Sequence, residues 1–340
     1  MKELHLTELK GDLRTCAARY GAEFKDAIHD FYNRELQPDD EKLAYARSCI
    51  PFMEKGAPNA FQWTEGMAEA AGLSLEDATL LLLHEENYHN ILRKEGHCTA
   101  LLSARESSLS GETLCGQNWD WWDSYYPLPG ILRTRIDGYP GVLSYHYPGL
   151  PFCCGVNEDG LALMWTGAGY LPPLEQNPGI PTYALTMEIM MKASVDEAVR
   201  YLLESGRNAG CFIFLLGDAS GDTAAVEGIP EYIQVRRGEQ LIYRSNLYML
   251  DEIVRRSSQE IEGEDDEALV RERAARKKAE RWRGRIAEST IKDILTTPPL
   301  FRPREGDVMT VDSLLANASQ RTLLVSRGGK KAGPWRTYGF

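Results

Sequence analysis

Apolar residues change their spacing near position 98, and the change divides the chain in two. Upstream, Tyr20–Leu36 and Glu41–Phe52 place apolar residues at helix-like intervals, with Pro51 and Pro58 breaking the pattern. Gly72 closes a further helix, and Ser74 stands at capping-box spacing from Asp77, ahead of the apolar run Ala78–Leu83. Residues 1–97 therefore read as helical. From Cys98 the runs become short and are separated by Gly, Pro and Ser. They predict strands over Cys98–Ala104, Thr113–Asp120, Ile131–Ile136, Val142–Tyr147 and Phe152–Asn157. Asn157-Glu158-Asp159-Gly160 is a hairpin turn leading into Leu161–Trp165.

The period then lengthens again. Tyr183–Lys192 reads as one helix, and Ser194 with Glu197 opens a second through Leu203. Strands return at Cys211–Leu216, Thr223–Glu227, Tyr232–Arg236 and Gln240–Tyr243. Ala268–Ile286 is a charged helix and Ile291–Leu295 a short one, and Met309–Leu315 and Arg321–Ser326 form a closing β pair. Two groups of strands around internal helices predict a layered α+β domain rather than βαβ repeats.

Composition narrows the function. The chain has 340 residues, 43% of them hydrophobic and 26% charged, which is ample for a globular core. A net charge of −12 argues against a nucleic-acid surface. Basic residues cluster over Arg271–Arg285, but acidic residues stand among them, so a solvated helix face is expected there. Seven cysteines without CxxC spacing support neither a zinc ribbon nor a disulfide framework. His84 and His89 are five apart, not the four of a zincin helix, so they point to different faces. No metal, cofactor or nucleotide motif is found. The N-terminus lacks the apolar run of a signal peptide and no stretch is long enough to span a membrane, so a cytoplasmic home is expected.

Candidate chemistry centres on Cys98. A papain-like cysteine needs a histidine base, and the single histidine after Cys98 is His146, in a strand-like run where a structural role is expected. The alternative base is the cysteine's own α-amine, whose pKa of about 8 suits proton exchange with a thiol at neutral pH. That route requires the chain to be cut between His97 and Cys98.

Cys98-Thr99, followed by Gly116-Gln117-Asn118-Trp119-Asp120, resembles the acyl-coenzyme A:6-aminopenicillanic acid acyltransferase family of autoprocessed N-terminal-nucleophile hydrolases. Weaker matches follow in the family's order: Gly66–Gly72, Gly155–Leu163, Ser245-Asn246 and Phe301-Arg302. The resemblance implies a four-layer αββα fold, with 1–97 as a helical pro-segment and 98–340 as the catalytic domain. Cys98 would cut the chain and then carry the acyl group, and Asp120 would hold its α-ammonium. Asn246 and the backbone N–H of Thr166 would donate to the oxyanion. Arg302 would orient a substrate carboxylate or the catalytic residues.

The implied substrate is a small N-acyl amine or N-acyl amino acid, with water, an amine acceptor or acyl-CoA completing the reaction. The two fragments would stay associated, and a homodimer stays open. Two features depart from the family: His97 stands where the acyltransferase has Gly, and Gln117 where bile salt hydrolases carry Arg. Competing expectations are a degenerate member acting as a binding protein and a papain-like peptidase using His146.

Overall fold

The computed structural model describes residues 3–88, 98–168, 178–257, 259, 261 and 263–340. The first element is a strand, β1 (Leu6–Gly11), with Thr7 and Leu9 turned inward. Asp12 caps the next element through a 2.8 Å bond from the Thr15 N–H, and α1 (Leu13–Glu23), α2 (Lys25–Phe31), α3 (Asp40–Gly56), α4 (Pro58–Ala71), α5 (Leu75–Leu82) and α6 (His84–Tyr88) follow. Ser74 and Asp77 close the expected capping box with reciprocal 3.1 Å bonds. Gly72 ends α4 at φ 75°, a left-handed turn that suits glycine.

Beyond residue 97 come β2 (Thr99–Ser103), β3 (Leu114–Trp122), β4 (Gly130–Ile136), β5 (Val142–Tyr147), β6 (Leu150–Asn157) and β7 (Ala162–Gly167). Helices α7 (Thr182–Met190) and α8 (Val195–Glu204) interrupt the strands. They resume with β8 (Phe212–Gly217), β9 (Thr223–Ile229), β10 (Tyr232–Arg237) and β11 (Leu241–Arg244). Helices α9 (Asp251–Ser257), α10 (Glu267–Glu280) and α11 (Glu288–Leu295) precede β12 (Val308–Asn317), β13 (Thr322–Arg327) and β14 (Trp335–Tyr338).

Among the described residues the strands form two sheets, ordered β1-β4-β5-β6-β7-β8-β9-β10 and β11-β2-β3-β12-β13-β14. The sheets pack face to face. Trp119 of β3 meets Tyr145 of β5 at 5.6 Å and Trp165 of β7 at 5.8 Å between ring centroids, and the Tyr145 hydroxyl donates to Asp312 of β12 at 2.7 Å. Helix α4 covers the outer face of the larger sheet, its Trp63 ring 5.4 Å from Phe152 of β6. Helix α11 covers the smaller one, its Leu295 carbonyl accepting from the Asn118 amide at 2.8 Å. The result is the α+β, four-layer αββα sandwich that the resemblance implies.

Several local readings change. Residues 6–11 are strand, not helix; β1 pairs in parallel with β4, whose distance in sequence leaves no local signal for the pairing. Pro51 does not break α3. It lies on the exposed face, as does Arg47, the residue whose carbonyl loses its i+4 donor, so solvent can replace the missing bond. The helix expected over Ala268–Ile286 ends at Glu280. Helix α9 and strand β14 were not anticipated.

Candidate active site

Strand β3 explains the Gly-Gln-Asn-Trp-Asp sequence residue by residue. Alternation sends successive side chains to opposite faces. On the helix side, a Cβ on Gly116 would come within 2.8 Å of Ile291 and 2.9 Å of Leu295, so glycine lets α11 sit close. Asn118 on the same side donates to the carbonyls of Leu295 at 2.8 Å and Leu300 at 2.7 Å, and accepts from the Ser313 hydroxyl at 2.7 Å. On the other face, Gln117 accepts the Trp165 N–H at 2.8 Å, tying the two sheets together. Two members of the motif are therefore latches between layers, and Trp119 fills the space between sheets.

Asp120 differs from its neighbours. It is 1% exposed, and neither carboxylate oxygen has a hydrogen bond of good geometry among the described residues, the Thr310 hydroxyl being a neighbouring donor. Burial pushes its carboxyl up to about 6, against the opposing pull of the Thr310 hydroxyl and the Arg271 charge. Cys98 stands immediately before β2, and its thiol lies 3.7 Å from the Asp120 carbonyl oxygen. Burial, then the Asp120 charge, push that thiol up to about 12. An uncut chain thus holds an un-ionised thiol near a buried carboxyl group that the Thr310 hydroxyl and the Arg271 charge only partly compensate. His97 and the junction expected to be cut lie outside the described residues.

The remaining residues meet through an arginine that the sequence reading missed. Arg271 projects from α10 and is 1% exposed. Its guanidinium donates to the Cys98 carbonyl at 2.5 Å, the Thr99 hydroxyl at 3.1 Å and the Asn246 side-chain oxygen at 3.2 Å. Burial brings its pKa down to about 10. The expectation of a solvated face over Arg271–Arg285 fails here. Ala268, Arg271, Glu272, Ala275 and Ala279 form the buried face of α10, and the small alanines let the helix approach while Arg271 reaches inward. That interval of small residues, with one arginine in register, was the available signal.

Asn246 is fixed at both ends of its amide. Its oxygen takes Arg271, and its nitrogen donates to the Gly167 carbonyl at 2.8 Å, the second N–H of that nitrogen meeting no partner among the described residues. Thr166 lies next to Gly167 in β7, with its hydroxyl bonded to the Ser245 carbonyl at 2.6 Å. Cys98, Asp120, Asn246 and Thr166 therefore converge on one end of the sandwich. Arg302 stands at the rim. It pairs with Glu267 on the surface, and its charge reaches Asp120 and Arg271.

Other candidates fall away from this centre. His146 is buried against Tyr20, whose hydroxyl is 3.2 Å from its Nδ1, and burial brings its pKa down to about 4. The His84 ring packs on Phe31, Trp121 and Tyr125, and no metal-binding cluster occurs among the described residues. His89 lies outside the described residues. Trp119, Trp121 and Tyr125 pack mainly against other rings, as core residues do. Among the described residues no helix is long and apolar enough to cross a membrane.

The family model for acyl-coenzyme A:6-aminopenicillanic acid acyltransferase matches residues 108–307, which include Asp120, Thr166, Asn246, Arg271 and Arg302 and begin beyond Cys98. No curated protein sequence matches the chain. Among solved structures, a penicillin V acylase from Agrobacterium tumefaciens is similar at 16% identity and a TM-score of 0.47, over 68% of this chain and 82% of the acylase. A mutant conjugated bile acid hydrolase from Clostridium perfringens is similar at 15% identity and a TM-score of 0.47, over 72% of this chain and 97% of the hydrolase.

Proposed function

The chain belongs to the acyl-coenzyme A:6-aminopenicillanic acid acyltransferase family, and on that premise we propose that it is a self-cleaving cysteine amidohydrolase or acyltransferase acting through a thioester on Cys98. The observation that carries the reading is the Cys98 thiol 3.7 Å from the backbone carbonyl of Asp120, a residue whose carboxyl group is buried with no hydrogen bond of good geometry among the described residues. A buried carboxylate left unpaired costs on the order of 1–3 kcal/mol or more, so a partner supplied later is a physical reason for keeping it.

The cleavage supplies that partner. The Cys98 sulfur adds to the His97 carbonyl carbon, the S–C bond forms, and the peptide C–N bond breaks. The thiol proton leaves with the freed α-amine. Water then hydrolyses the thioester, giving a carboxylate on His97 and restoring the thiol. The new α-ammonium stands beside Asp120, and a cation next to the thiol opposes the burial and negative charge that hold its pKa high.

In turnover the α-amine takes the thiol proton, sulfur attacks the substrate amide carbonyl, and the proton passes to the departing amine. The second N–H of Asn246 and the backbone of Thr166 are the proposed oxyanion donors, a contribution of about 3–4 kcal/mol in comparable sites. Arg271 holds Asn246 and the Cys98 carbonyl in place. Arg302 completes the positive side of the site from the rim. The proposed substrates are small N-acyl amines or N-acyl amino acids, with water, an amine or acyl-CoA completing the exchange. In this reading residues 1–97 are the pro-segment and 98–340 the catalytic fragment.

The thiol's burial favours a second reading, a degenerate member that binds ligand without turnover; Cys98 is only 8% exposed. Iodoacetamide separates the two. Loss of amidase activity with one label on Cys98 supports the enzyme, and an unlabelled, inert protein supports the binder. A panel of N-acyl amino acids, β-alanyl amines and penicillins then identifies the substrate.

A further inference from the structure

Helix α7 begins at Thr182 after Pro181, and no side chain of its own caps it. Its first turn is capped instead from the other side of the proposed cleavage point. The Glu86 Oε1 atom accepts both the Thr182 N–H and the Thr182 hydroxyl at 2.8 Å. One residue on, the Tyr183 hydroxyl donates to Glu85 at 3.1 Å. A Cβ on Gly210 would lie 2.5 Å from the same Glu86 oxygen, so a glycine there makes room for the carboxylate. The other Glu86 oxygen is buried without a partner. A local serine or aspartate would cap a helix for about 1 kcal/mol without that burden.

The opposite end of α7 shows the same device reversed. Glu188 caps α4 by accepting the N–H groups of Asn59 at 2.7 Å and Ala60 at 3.2 Å. Helix α4 is far from Cys98 in sequence, whereas Glu85 and Glu86 occupy the last described helix before it. Helix α7 packs on β6 and β7, the latter carrying Thr166, and the Tyr183 ring meets Trp165 at 5.6 Å. The Glu85–Glu86 pair thus ties the last described helix before Cys98 to a helix that packs on the strand carrying Thr166. Fixing a chain segment close in sequence to a reacting bond lowers the entropic cost of an intramolecular step.

We propose that Glu86, supported by Glu85, is a positioning residue for self-cleavage: its clasp on Thr182 fixes the last described helix before Cys98 to α7, and loss of the clasp slows the cut. The inference rests on the cleavage reading above. The test is cell-free synthesis of the full chain, with the appearance of fragments 1–97 and 98–340 followed by mass spectrometry well below the melting temperature. Glu86→Ala cuts at least tenfold more slowly than wild type, and Glu86→Gln, which keeps an acceptor for Thr182, recovers most of the rate. Glu188→Ala removes the equivalent cap at the far end of α7 and cuts at the wild-type rate. Thr182→Val gives a partial slowing if Glu86→Ala does not fold.

Cleavage of Glu86→Ala or, where that variant does not fold, of Thr182→Val at the wild-type rate overturns the proposal alone. So does equal slowing in Glu86→Ala and Glu188→Ala, which would mark a general loss of stability. A wild-type chain that is never cut overturns both this proposal and the reading beneath it.

Discussion

At the scale of single residues, Asp120 and His146 show how burial sets opposite electrostatic signs. Burial raises the Asp120 carboxyl to about 6, above the roughly 3.9 of an unfolded chain, so the folded state holds that proton more tightly. The associated stability is complete below about pH 4 and is lost as pH rises through 6. In an uncut Cys98→Ala background, Asp120→Asn should therefore match its parent at pH 4 and exceed it at pH 7 by up to about 3 kcal/mol, as read by urea unfolding. The same substitution in the intact protein should abolish turnover.

His146 behaves in the reverse sense. Its pKa is brought down to about 4, so its contribution is present above about 6.5 and is lost as pH falls through 4. His146→Gln should leave kcat/KM within about twofold of wild type, because a residue packed on Tyr20 and Phe24 has no part in the chemistry. A loss of rate by orders of magnitude would restore the papain-like alternative. The closeness of Cys98 and Asp120 in the fold is what the Cys-Thr and Gly-Gln-Asn-Trp-Asp motifs lead one to expect. The poorly bonded carboxylate was not legible in the sequence, since hydrogen-bond satisfaction depends on what other strands bring.

At the scale of elements, α10 is where sequence and structure diverge most usefully. Alternating charges along Ala268–Ile286 resemble a solvated helix, and Arg273 and Lys277 do face solvent. Arg271 does not, because the alanines at 268, 275 and 279 set the buried face and place it in register with them. Its planar fork serves Cys98, Thr99 and Asn246 together, which a single ammonium cannot reproduce. Arg271→Lys should lower kcat/KM about 10- to 100-fold with KM little changed, measured on processed enzyme. Helix and strand positions near capping boxes, glycine turns and hairpins were readable. Strand β1 was not, because its pairing with β4 is long-range and parallel.

At the scale of the whole molecule, one hydrophobic core spans both sides of Cys98. Tyr20, Phe31, Trp63 and Leu81 from the N-terminal helices join Tyr145, Phe152, Trp165 and Leu185 in a single buried cluster. Strand β1 also adds an edge to the larger sheet. Cutting before Cys98 therefore breaks one covalent bond and leaves the packing in place. The fragments should co-elute in gel filtration at neutral pH and separate only in denaturant; separation in plain buffer would contradict the shared core. The sequence divided the chain at Cys98 by its change of period, and packing shows that the two parts form one folded unit.

The central claim is that Cys98 becomes an N-terminal residue, and intact-mass analysis of the purified protein tests it most directly. The account predicts two species, residues 1–97 and 98–340, in wild type and a single uncut chain in Cys98→Ala. A wild-type chain that stays whole while hydrolysing amides would contradict it.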